Sequence, residues 1–112
     1  MEKRNYDQQL TGMAGEFLTV GKLFKRGYQA SITFGNAKAI DVLVFNPKNE
    51  KSYIVQVKTL RKKNCFLIKK DNLNAAHIYI FIILNAFEQS EEFFIIPGNE
   101  IIENIDSFFG SS

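Results

Sequence analysis

The stretch IDVLVFNPKNEKSYIVQVK, residues 40–58, decides how the rest of the chain is read. Ile40–Phe45 is rich in β-branched and aromatic residues, and so is Tyr53–Lys58. Between them Asn46-Pro-Lys-Asn-Glu-Lys51 has the composition of a turn. Two such runs joined by such a turn predict a β-hairpin. If Asn46 pairs with Lys51, counting back along both strands sets Asp41 opposite Gln56. Directly opposed residues hold their Cβ atoms about 4.5–5.5 Å apart. Gln56 and Lys58 are two apart on one strand and share a face. A carboxylate, a carboxamide and an ammonium group therefore gather on one patch. Ile40, Val42, Val55 and Val57 point the other way, into a core.

Outward from the hairpin, residues 7–26 read as a helix. Leu10, Met13, Ala14, Phe17, Val20, Gly21 and Phe24 recur at three- and four-residue steps. Asn5 or Asp7 can cap its start and Gly27 can stop it. Glu16 lies near Met13, Val20 and Leu23 at the edge of the apolar stripe. A partly covered carboxylate there needs a cation, a metal or hydrogen-bond donors. Tyr28–Thr33 predicts a short strand and Phe34–Lys38 a polar loop. Beyond the hairpin, Leu60–Lys70 is basic, with Phe66–Ile68 extended, and Asp71–His77 predicts a short helix. Ile78–Leu84 is a continuous apolar run, the mark of a strand buried on both faces. Phe93–Ile96 is a further strand, and Asn99–Phe109 a closing helix. This order predicts a single α/β domain over residues 1–112, a mixed β-sheet flanked by helices.

The 112 residues hold one cysteine and one histidine, Cys65 and His77. That excludes a disulfide framework, a Cys–His zinc site and any mechanism needing two histidines. The start carries no apolar core of a secretory signal. The longest apolar stretch falls well short of the roughly 20 residues that span a bilayer. The expectation is a soluble cytoplasmic protein with no membrane partner. Net charge is only +2, but it is unevenly placed. Residues 1–70 carry all 14 Lys and Arg against five acids, a net of +9. Residues 71–112 carry seven acids and no Lys or Arg, a net of −7. Such asymmetry points to an anionic partner for the basic half, nucleic acid being the commonest.

Two carboxylates, an amide oxygen and a lysine suit phosphodiester chemistry on a hard cation. Mg²⁺ prefers oxygen ligands. It polarises a phosphoryl oxygen and acidifies a bound water. A lysine beside it neutralises charge developing on phosphate. Asp41, then Gln56-Val57-Lys58 on the next strand, with Glu16 on a preceding helix, resemble the PD-(D/E)xK nuclease superfamily. The resemblance covers roughly residues 10–96. It implies a restriction-endonuclease-like αβββαβ core and a Mg²⁺- or Mn²⁺-dependent endodeoxyribonuclease. Asp41 would be the central metal ligand, Gln56 would stand in the place of the motif acid, Lys58 would be the motif lysine, and Glu16 would complete the site. The partner implied is DNA, cut in a resolvase-, restriction- or homing-like manner, with branched DNA one candidate and a homodimer presenting two sites. Two departures stand out. Ile40 replaces the proline before the aspartate. Gln56 can ligate through its oxygen but brings no charge, so weaker Mg²⁺ binding is expected.

Each residue also has a plainer reading. Asp41 and Lys58 could form a surface ion pair worth little. Gln56 could be an ordinary polar residue of a half-solvated hairpin. Lys38, before Asp41, is as well explained by solvation as by phosphate contact. Arg61, Lys62, Lys63, Lys69 and Lys70 form a basic run, usually a solvated face, whose place beside the proposed site favours phosphate contacts. Tyr53, Phe66 and Tyr79 read as core or rim. His77 ends the short helix and has no catalytic part, and Cys65 is incidental. The Phe-rich acidic tail reads as core and as a candidate dimer surface. Two rivals remain from other classes: a nucleic-acid-binding module of the same fold without activity, and an assembly protein that uses its acidic half.

Overall fold

A computed structural model of the chain describes residues 2–34, 40–62 and 73–104. Helix α1, Glu2–Lys25, comes first. The strands β1 (Gln29–Phe34), β2 (Ile40–Asn46), β3 (Lys51–Leu60), β4 (Ile78–Ile83) and β5 (Glu92–Pro97) follow, then helix α2, Gly98–Glu103. Helix α1 starts five residues earlier than its apolar stripe predicts and ends where Gly27 predicts. Gly27 takes a φ of 94°, open to glycine at little cost. The Tyr28 N–H donates to the Leu23 carbonyl at 3.0 Å, and the Gly27 N–H to that of Phe24 at 3.0 Å. This is the paired closure that satisfies the last carbonyls of a helix. Leu23 and Tyr28 then pack against the same core.

The sheet runs β1-β2-β3-β4-β5 in space. All neighbours are antiparallel except β3 and β4, which are parallel. The chain between β3 and β4 is therefore a crossover, as parallel pairing requires. The β2–β3 hairpin has the expected register, Asn46 opposite Lys51 and Asp41 opposite Gln56. Its four-residue loop is closed by asparagines. Asn46 Oδ1 accepts from the Lys48 N–H and Asn49 Oδ1 from the Lys51 N–H, both at 3.0 Å.

Strand alternation divides the core into two layers. On one face Val42, Val44, Val55, Ile80, Ile82 and Leu84 pack under Ala14, Leu18 and Leu23 of α1. On the other, Tyr79 and Phe81 pack with Ile101 of α2, beside Leu73 and Ile96. β4 lies between β3 and β5 and is buried from Tyr79 to Ile83, as its unbroken apolar run predicts. Each fully buried side chain of this kind contributes about 1.5–3 kcal/mol of transfer free energy. Helix α1 approaches β3 closely at Gly15, where a Cβ would collide with the Thr59 side chain.

Two sequence expectations are corrected. The helix expected over Asp71–His77 is not present across residues 73–77, which form a turn. Asn74 Oδ1 accepts from the Ala76 N–H at 2.8 Å, and the His77 N–H donates to the Asn74 carbonyl at 3.1 Å. Asparagine side chains compete with helical hydrogen bonding in this way. The closing helix, expected to reach Phe109, stops at Glu103. Asn104 leaves the helical conformation and its side-chain amide donates to the Glu100 carbonyl at 3.1 Å. Phe66–Ile68 and residues 105–109 lie outside the described residues. Among the described residues no helix is long and apolar enough to cross a membrane.

Candidate functional site

The hairpin register brings positions 41 and 56 together, and Lys58 follows on the same face of β3 as Gln56. That face is the one toward α2, because Gln56 is in register with Tyr79 and Lys58 with Phe81 across the parallel pair. Lys58 is exposed and Gln56 half-buried. The place of Asp41 follows from backbone register alone: it pairs with Gln56 on one side and Thr33 on the other.

His77 joins this patch, which the sequence reading did not anticipate. Gln56 Nε2 lies 2.9 Å from His77 Nδ1. An amide nitrogen only donates, so this contact is a hydrogen bond in the imidazole tautomer whose Nδ1 accepts. The contact holds the carboxamide by its nitrogen and leaves its oxygen for other partners. The turn that carries His77 is itself anchored, since the Asn74 N–H donates to the Tyr79 hydroxyl at 2.9 Å. The available signal was alternation: His77 lies two residues before Tyr79 and so on its face, but using it requires the parallel register.

Glu16 is placed differently. It is 5% exposed and belongs to α1, which covers the opposite face of the sheet. Gln56 and Lys58 are thus brought to one face with position 41, and Glu16 is not. It stands next to Gly15, where α1 meets Thr59, the residue after Lys58. Thr19, one turn on, donates to the Gly15 carbonyl at 2.9 Å. A carboxylate so withdrawn from water must be compensated by cations or donors.

Of the residues expected to touch phosphate, Arg61 and Lys62 are exposed at the end of β3. Arg61 Nε donates to Thr11 Oγ1 at 2.8 Å, which ties that end of the strand to α1. Lys38, Lys63, Lys69 and Lys70 lie outside the described residues.

The class the fold defines is a mixed α/β domain with helices on both faces of a five-stranded sheet. No family model, no curated protein and no solved structure matches the chain.

Proposed function

We propose that the protein is a metal-dependent DNA endonuclease of the PD-(D/E)xK type, with a restriction-endonuclease-like core. The observation that carries the reading is the hairpin register, which sets Asp41 against Gln56 with Lys58 two residues on. The element order supports it too: a helix, three antiparallel strands, then a crossover into a strand parallel to the third. In this reading Asp41 and the Gln56 carboxamide oxygen hold Mg²⁺ or Mn²⁺. The ion supplies Lewis acidity and a more acidic bound water. Lys58 sits beside the reacting phosphate and balances the charge that builds on it. His77 keeps the Gln56 amide nitrogen turned aside. Glu16, buried under α1 on the opposite face of the sheet, stands outside this group. Arg61 and Lys62 continue the basic surface along the DNA backbone, as phosphate contacts that position the duplex.

The test is nicking of supercoiled plasmid with Mn²⁺. Wild type is expected to cleave, and Asp41→Ala and Lys58→Ala to lose at least a hundredfold in rate. Equal cleavage by wild type and both variants would remove the site. A second reading, a nucleic-acid-binding module without activity, is favoured by one observation: α1 lies across the sheet from Gln56 and Lys58, so Glu16 does not share their face. It expects salt-sensitive binding with no nicking.

A further inference from the structure

Away from the hairpin site, the C-terminal half of α1 roofs a groove of about 490 Å³ over the sheet. Ligand sites commonly enclose about 300–1,000 Å³. Its floor is apolar, with Val55, Ile80, Phe93 and Ile95 among the lining side chains. Two cations, Lys22 and Arg26, stand on its α1 side, and none of its lining residues is acidic. Lys22 and Arg26 are four apart on one helix, so they are neighbours, and like charges so placed repel. Lys22 Nζ lies 4.8 Å from the centre of the Phe93 ring, which holds the ammonium over the apolar floor. Cations in a last helical turn also suit the helix dipole, but that accounts for neither the exposed Ile95 nor the lack of acids among the lining residues.

We propose that this groove binds an amphipathic anion: a carboxylate on an aliphatic or aromatic body. The apolar body lies over Val55, Ile80 and Phe93, and the carboxylate sits between Lys22 and Arg26 and relieves their repulsion. The groove does not involve Asp41, Gln56 or Lys58, so the inference stands apart from the nuclease reading.

Sodium decanoate, titrated into the isotopically labelled protein by NMR, tests it. Saturable shifts are expected at Val55, Ile80 and Phe93. Decyltrimethylammonium, with the same tail and opposite charge, should bind at least tenfold more weakly, and acetate should cause no saturable shift there. The Lys22→Glu/Arg26→Glu double variant should weaken decanoate at least tenfold, and Ile95→Glu, at an exposed position, should do the same without loss of fold. Equal binding of both decyl compounds, or no saturable shift at the groove, overturns the proposal. So does a sedimentation mass that falls from dimer to monomer as decanoate is added, because the groove would then belong to a second copy of the chain.

Discussion

The two faces of β3 carry opposite kinds of side chain. Tyr53, Val55 and Val57 pack into the apolar layer under α1, where Val55 is 3% exposed. Gln56 and Lys58, between and beyond them, look out on the α2 side beside the half-buried His77. One strand thus contributes to the packed layer with one set of side chains and presents polar chemistry with the other. This division teaches that stability and the proposed chemistry are separable here: substitutions on the α1 face should unfold the protein, and substitutions on the α2 face should change what it does.

The hardest challenge to that division is Ile82→Ala. Ile82 is fully buried in the α1 layer, and the change should cost about 2–5 kcal/mol, read as a lower urea midpoint at unchanged slope. A cost below that range would mean that the layer under α1 does not carry the fold. Gly15→Ala comes next. A new Cβ must displace Thr59, and such overpacking costs about 1–3 kcal/mol. The same unfolding curve measures it, and a neutral result would contradict the close approach of α1 to β3.

On the other face the effects shrink. His77→Phe removes the acceptor for Gln56 Nε2 and should cost about 1 kcal/mol. Its diagnostic sign is the loss of the scalar coupling across the N–H···N hydrogen bond between the two side chains. Lys58→Ala should change stability by no more than about 0.5 kcal/mol, even though the proposed function has it abolish nicking. A large destabilisation would instead make Lys58 a structural residue.

The hairpin was legible because everything that sets it is local. A polar turn with two asparagines fixes the loop, and alternation along Ile40–Phe45 and Tyr53–Lys58 fixes which residues share a face. The buried run Ile78–Leu84 was equally plain. The His77–Gln56 contact was not, because the β3–β4 register is parallel. No turn sets a parallel register; it comes from packing between residues far apart in the chain. The helix expected over Asp71–His77 failed for a local reason, the Asn74 side chain capturing the Ala76 N–H. Glu16 was rightly read as a covered carboxylate. Its side of the sheet follows only once α1 is seen to pack on Val42 and Val55, the residues that point away from Gln56.

The most direct test of the hairpin as a metal-dependent site is Mn²⁺ titration of the labelled protein, read as paramagnetic broadening. The account predicts that the Gln56 side-chain amide and the backbone signals of Asp41 and Lys58 broaden first, at metal levels that leave Phe93 sharp, and that Asp41→Ala removes the effect. Broadening that begins elsewhere, or that survives Asp41→Ala unchanged, would contradict it.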